Sequence, residues 1–417
     1  MEMEEKKEVK FKDLLHQTDY IKVLIANTIS RFGDSIDAIA FAWLVYMITK
    51  SASWSAIILA VNYLPTIVIQ PIAGTLVERM NKKKVVVVTN VIRGIIVASL
   101  ALLYVLHLIS PAILIIFTLM ISISESFNLP AASSLIPKLL KKDFYEYGVA
   151  ISGTAATVVQ LMGMASAGVI IGLLGVQAAI FIDAVTFFLC ALITMLVRYQ
   201  EPAKEKIKLA FKTIVNSTKD GWTYAMKKKT IRNFLFIAIT LNALLVPLNA
   251  LEAPFIVQVL KQGSEFMSVL GIALMIGMGI GSMSFPKLSK VLSSRTRIVS
   301  GGFMIGIGYG ILVAASLFTS SKWILVCVAT FGSFLLGFAV SIMNATVSVL
   351  FMNNVEEEYY ARVGATTNAL GTAAMPITSF IMSGLAAFLS VGILYLSCAA
   401  LTIVLFLVVG MKKLEFE

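Results

Sequence analysis

Apolar runs of about 20 residues, parted by short polar interruptions, recur along nearly the whole chain, and a helix needs about that length to cross the hydrocarbon of a bilayer. Spans are expected to begin near Ile21, Ser55, Val85, Pro111, Glu146, Val176, Ile231, Phe266, Ile298, Trp323, Tyr359 and Val391. That makes about twelve. The longest polar interruption, Tyr199 to Thr230, divides them into two groups of about six. The expected organisation is a bundle over residues 1–198, a cytoplasmic linker over 199–230 and a second bundle over 231–417. Inside the linker Ile207, Phe211, Ile214 and Val215 recur at helical spacing, which suggests an amphipathic helix lying on the membrane surface. The fold class expected is an all-α polytopic membrane protein.

Weak likeness between the halves supports a duplicated bundle, as carriers built from structural repeats display. A shift of 212 places Ile25, Ala26, Thr28 and Val45 on Ile237, Ala238, Thr240 and Val257. A shift of 216 places Asn128 on Asn344 and Gly148 on Gly364.

Composition sharpens this picture. Hydrophobic residues are 58% of the 417 positions, charged ones 14%, and mean hydropathy is +0.89, far from an average soluble domain. A net charge of +11 would by itself suggest nucleic acid, but the positions of the basic residues exclude that reading. If the N-terminus is cytoplasmic, only Lys50, Lys261 and Lys322 fall on the outer side, and Arg31 and Arg93 fall within spans. All other Lys and Arg residues lie inside, as the positive-inside rule requires. Both termini are therefore expected in the cytoplasm, with the chain in the inner or plasma membrane. Residues 1–20 lack a small-residue cleavage site, so no secretory signal is expected, and Lys10 to Tyr20 should follow the cytoplasmic interface. Cys190, Cys327 and Cys398 fit no metal or disulfide spacing and read as small core residues.

Ionisable residues within spans cost several kcal/mol unless paired or wetted, so each is a functional candidate. Asp34 lies near the middle of the first span, with Arg31 one turn before and Asp37 one turn after, at a spacing that makes them neighbours. A carboxylate in low dielectric can take a proton from one side and release it to the other. Asp34 leads as the proton-coupling site, with Asp37 and Glu125 as further candidates; the competing reading pairs Asp34 with Arg31 for structure alone. Asp183 and Arg93 read as structural. Arg31, Asn27, Asn62, Asn242, Asn249, Glu252 and Asn344 are candidates for lining a central substrate cavity. Glycines at Gly302, Gly306 and Gly310, at Gly277 and Gly281, and at Gly168 and Gly172 recur every four residues, which allows close helix approach. Pro130, Pro247 and Pro254 are expected to disturb their helices.

Between the second and third spans stand Gly74, Leu76, Glu78, Arg79, Asn81, Lys82 and Lys83. This stretch resembles the loop signature of the major facilitator superfamily, with Gly74, Leu76, Arg79 and Lys83 matching outright and Asn81 replacing a glycine at a tight turn. The resemblance implies a fold of two six-helix pseudo-symmetric bundles. It also implies a cytoplasmic gate in which Glu78 faces a helix N-terminus and Arg79, Lys82 and Lys83 help to latch that side. The second-half counterpart, Phe285, Pro286 and Lys287 to Lys290, lacks the acidic residue, so a latch would be asymmetric. Phe32-Gly33-Asp34, Trp43 to Tyr46 and Lys219 to Trp222 resemble the drug-exporting branch with macrolide efflux-type and enterobactin exporter-type transporters. The Gly-Pro pair common in the fifth span of exporters is absent at Gly163-Met164.

No Gly-Lys dipeptide occurs, so a Walker loop is excluded and energy must come from a gradient. No HExxH or GxSxG exists and the only histidines are His16 and His107, so no enzyme and no cofactor is expected. The function expected is export of a small amphipathic molecule (drug, antibiotic or siderophore-like) by alternating access in exchange for protons, by a monomer with no nucleic-acid partner. An uptake symporter or a lysophospholipid flippase of the same fold is the alternative, and a channel or non-transporting receptor belongs to another class.

Overall fold

In hydrocarbon every backbone N–H and C=O must be satisfied within the chain, so each apolar run folds as a helix. The computed structural model describes residues 16–77, 80–140, 144–199, 223, 226–356 and 360–411. The major helices among them are α1 (Thr18–Thr49), α2 (Ala52–Val68), α3 (Gln70–Val77), α4 (Lys82–Val105), α5 (Pro111–Leu139), α6 (Tyr145–Leu174) and α7 (Val176–Met195). After the linker come α8 (Lys229–Ala250), α9 (Glu252–Phe255), α10 (Glu265–Val291), α11 (Ser294–Ala314), α12 (Lys322–Asn354), α13 (Tyr360–Ala386) and α14 (Val391–Met411). Ten described helices are long and apolar enough to cross a membrane, and Ala52–Val68 and Leu370–Ala386 are shorter apolar ones. The protein is thus an all-α, multi-pass membrane protein. The expected linker helix at Ile207, Phe211, Ile214 and Val215 lies outside the described residues, as do Glu78 and Arg79.

Two spans are less regular than the hydropathy implies. The second breaks at Ile69, two residues before Pro71: Pro71 has no N–H to give the preceding turn, and it stands in the first turn of the new helix, where a missing donor is tolerated. The seventh ends as α8 at Ala250, restarts as the single turn α9, and widens into a π-helix over Ile256–Leu260 before Lys261 turns left-handed at φ 55°. Pro247 and Pro254 supply no N–H to this stretch, and wide turns of this kind restore the pairing. Pro130, by contrast, leaves α5 unbroken.

The chain forms two compact units, one of Met1–Phe41, Val68–Ile109 and Ile116–Ile207, the other of Ala42–Ile67, Ser110–Ile115 and Lys208–Glu417. In the first, α4 buries Val86, Asn90, Arg93, Val97 and Leu100, a stripe at heptad-like spacing that turns one face to protein and the other to lipid. Gly33 of α1 meets α7 so closely that a methyl there would overlap the Thr186 hydroxyl and the Asp183 carboxylate. In the second, Gly277 and Gly281 of α10 lie against the backbone of Phe334 and Phe338 on α12, and Gly302 of α11 lies against Phe406 of α14. Gly172 and Gly310 face open space, so the expected close approach does not extend to them. Leu173, Met283, Trp323 and Phe388 are widely exposed, as side chains bathed by lipid should be. Cys327 is exposed too, whereas Cys190 and Cys398 are buried.

Candidate transport site

The first unit holds a polar cavity of about 310 Å³. Asn27, Arg31 and Asp34 of α1 line it because positions four and three apart share a helix face. Arg93 of α4, Glu125 and Asn128 of α5 and Ser152 of α6 add to the charged and polar lining. Asn128 is fixed by donating Nδ2 to Thr89 Oγ1 at 2.7 Å, and Thr89 in turn donates to the Val85 carbonyl at 2.8 Å.

Arg93 organises the wall. Its Nη2 donates to Asp34 Oδ1 at 3.0 Å, its guanidinium carbon sits 4.1 Å from the centroid of the Phe187 ring, and its buried Nε has no acceptor. Four carboxylates act on its charge, Asp34 foremost, then Glu125, Asp183 and Asp37. Asp183 is 1% exposed; its Oδ1 lies 3.3 Å from Thr186 Oγ1, which donates to the Asp183 carbonyl at 2.7 Å. The pairing of Asp34 with Arg31 is therefore corrected. The partner is Arg93, the residue expected to be purely structural, and Arg31 is left exposed at the cavity. One arginine beside three buried or half-buried acids is a signal the sequence contained, since each intramembrane charge needs a partner on some other helix.

The second unit holds a cavity of about 390 Å³ with a different lining. Phe234 and Phe351 meet edge to face at 6.0 Å, with Met352, Thr367 and Asn242 beside them and, among the described residues, no charged side chain on the wall. Asn242 donates Nδ2 to the Ala238 carbonyl at 3.0 Å. Of the other cavity candidates, Asn249 is exposed and donates to Leu245 O at 3.1 Å, Asn344 is exposed, and Asn62 is half-buried; none lines either cavity. Glu252 sits half-buried at the break between α8 and α9, where Phe255 stacks on Tyr395 at 4.1 Å. Tyr309 donates to the Leu244 carbonyl at 2.6 Å and Tyr395 to that of Pro247 at 3.3 Å, so two hydroxyls unsuspected from the sequence brace the proline-bearing turn.

In the signature loop, Gly74 lies in α3 with open space beside its Cα, and Lys83 is half-buried. Lys82 is 1% exposed, with Nζ 3.5 Å from the Val77 carbonyl and 3.4 Å from that of Met80. Asn81 makes no left-handed turn: at φ −68° it is the N-cap of α4, accepting from Lys84 N at 3.0 Å. The second unit has a parallel feature that the sequence did not reveal. Arg297 of α11 is 4% exposed, donates to Leu292 O and Ser294 Oγ at 3.0 Å each, and lies over the Phe285 ring.

Residues 23–379 match the family model described as Major Facilitator Superfamily. The chain belongs to that superfamily. Within it, the chain is 22% identical over 313 residues to the uncharacterized MFS-type transporter YkuC of Bacillus subtilis, covering 71% of this chain and 72% of that protein. It is 21% identical over 327 residues to Macrolide efflux protein A of Enterococcus faecalis, covering 78% of this chain and 99% of the relative. The crystal structure of the nucleoside transporter NupG superposes with a TM-score of 0.77 at 13% identity, over 95% of this chain and all of that one, a likeness of fold alone. The protein is accordingly a superfamily transporter of a small molecule and not an enzyme.

Proposed function

We propose that this transporter exports a small amphipathic molecule by alternating access in exchange for protons. The termini and the linker lie in the cytoplasm, the chain works as a monomer in the cell membrane, and the moving bodies are the bundles 1–198 and 231–417. Its efflux-type relatives support the direction, and the contrast between a charged cavity and an aromatic one supports the amphipathic character.

The observation that carries the coupling is the single guanidinium of Arg93 set among Asp34, Asp37 and Asp183. Arg93 alone cannot balance Asp34, Asp37 and Asp183, and counting Arg31 and Glu125 still leaves two positive charges against four carboxylates where water is scarce, so the cluster holds protons. The groups that face it are Arg31, Asp34 and Asp37 from α1, Arg93 from α4, Glu125 from α5 and Asp183 from α7. Asp34, at the cavity and a third exposed, is the member open to water and the coupling site, with Asp37 one turn behind it on the same helix. Everted vesicles loaded with a panel of drugs test this directly. An imposed proton gradient should drive accumulation by the wild type, and Asp34→Asn should abolish gradient-driven uptake while the protein still inserts. Undiminished coupling in Asp34→Asn would reject the assignment, and accumulation in the opposite direction would reject export.

A further inference from the structure

The cavity of the first unit contains a charge pattern that proton exchange leaves unused. Among the described residues four ionisable side chains line it, two of each sign: Arg31, Arg93, Asp34 and Glu125. Asp34 and Arg93 are bonded to each other at 3.0 Å. That leaves Arg31 and Glu125, on α1 and α5, which among the described residues form no ion pair with each other and no side-chain hydrogen bond. A guanidinium and a carboxylate that share one cavity and stay apart are costly to keep in a membrane protein, and charges left in this state usually serve a ligand. The asymmetry with Asp34 is informative, because Arg93 lines the same cavity as Glu125 and still bonds only Asp34.

We propose that this cavity binds the head group of a zwitterion, with Arg31 holding its phosphate or carboxylate and Glu125 its ammonium. Arg31 suits the anionic end because a guanidinium offers two parallel N–H donors to such a group. Glu125 suits the cationic end because its negative charge attracts an ammonium whether or not that group carries N–H donors. Asn27, Ser30 and Asn128 add uncharged polar groups to the same wall. At about 310 Å³ the cavity stands at the lower limit of ligand pockets, about 300 Å³, so it takes a head group and leaves any long apolar tail elsewhere. Phosphocholine-like chemistry of this kind comes from two sources, a free small zwitterion or a single-chain phospholipid. The inference deepens the transport reading and rests on it for its physiological meaning.

Binding to the purified, full-length protein tests it without any gradient, so a failed vesicle assay would bear on export and not on this site. Four probes are sufficient: dodecylphosphocholine, dodecyl phosphate and dodecyltrimethylammonium, which share one chain, and free phosphocholine. Wild type should prefer dodecylphosphocholine by about 10-fold over either analogue that carries only one sign of charge, the scale of one lost contact between opposite charges in a partly buried site. Glu125→Gln should erase the lead over dodecyl phosphate only, and Arg31→Gln the lead over dodecyltrimethylammonium only. Equal binding of the three dodecyl probes by wild type overturns the proposal, as does a lead that survives both substitutions. If either variant fails to fold, the wild-type ranking decides alone. Displacement by free phosphocholine at comparable concentration assigns the site to soluble zwitterions, and binding that needs the chain assigns it to lipids.

Discussion

Arg93 Nη2 lies 3.0 Å from Asp34 Oδ1, and the same guanidinium covers the ring of Phe187, so one side chain of α4 ties α1 to α7. The link is electrostatic on one side and cation–π on the other, and it sits where a carboxylate surplus would otherwise be unanswered.

Removing the cation should therefore cost more than removing its bonded anion. Arg93→Gln leaves several carboxylates without a counter-charge, and breaking a buried pair from one side costs about 3–5 kcal/mol. Asp34 is a third exposed, so Asp34→Asn, discounted for solvent, should cost about 1 kcal/mol. The double variant should recover part of the Arg93→Gln loss. Denaturation of the purified variants checks the order; equal losses would show that the pair is not the main support of this contact.

Asn81 separates two roles that look alike in sequence. Had it replaced glycine at a left-handed turn, Asn81→Gly would stabilise and Asn81→Ala would strain the backbone. As an N-cap with φ −68°, it should lose about 0.5–2 kcal/mol on substitution by Ala and only a few tenths on substitution by Gly. Thermal melting of the two variants decides, since the turn and the cap predict different outcomes for Gly.

Much of the architecture was legible because hydropathy and the 3.6-residue period act locally. The starts expected at Pro111, Val176 and Val391 coincide with those of α5, α7 and α14. The breaks at Ile69 and Ala250 were harder, because Pro71, Pro247 and Pro254 act through which carbonyl is left free, while Pro130 is absorbed. The Asp34 partner was hidden for another reason. Arg31 is its neighbour along α1, but Arg93 belongs to another helix, and helix rotation is set by packing: the buried stripe of Asn90, Arg93 and Val97 aims Arg93 inward. Tyr309, Tyr395 and Arg297 escaped notice because an ordinary residue becomes significant only when a carbonyl or a ring is placed within its reach.

Gly33 and Gly172 both belong to the first unit, and only one should matter. A methyl at Gly33 would overlap Thr186 and Asp183, whereas nothing lies within 4 Å of one at Gly172. Gly33→Ala should cost about 1–3 kcal/mol by overpacking and loosen the Arg93 cluster with it. Gly172→Ala should be neutral or slightly stabilising, since Ala is the better helix former. Expression level and melting temperature report both, and a harmless Gly33→Ala would contradict the α1–α7 contact.

The aromatic cavity of the second unit makes a claim on substrate choice rather than stability. Phe351 meets Phe234 edge to face at 6.0 Å within a wall that carries no charge among the described residues. If this cavity takes the apolar body of the substrate, Phe351→Ala loses contact area and an aromatic pairing worth about 0.5–1.5 kcal/mol beyond area burial. Because such contact is made equally before and during translocation, the loss should appear as a KM about 2–10-fold higher with kcat unchanged. Phe351→Leu should restore most of the affinity, as apolar volume returns without the ring. Drug accumulation measured against concentration in everted vesicles separates the cases: a fall in kcat at constant KM would place Phe351 in the conformational step and remove this cavity from the binding path.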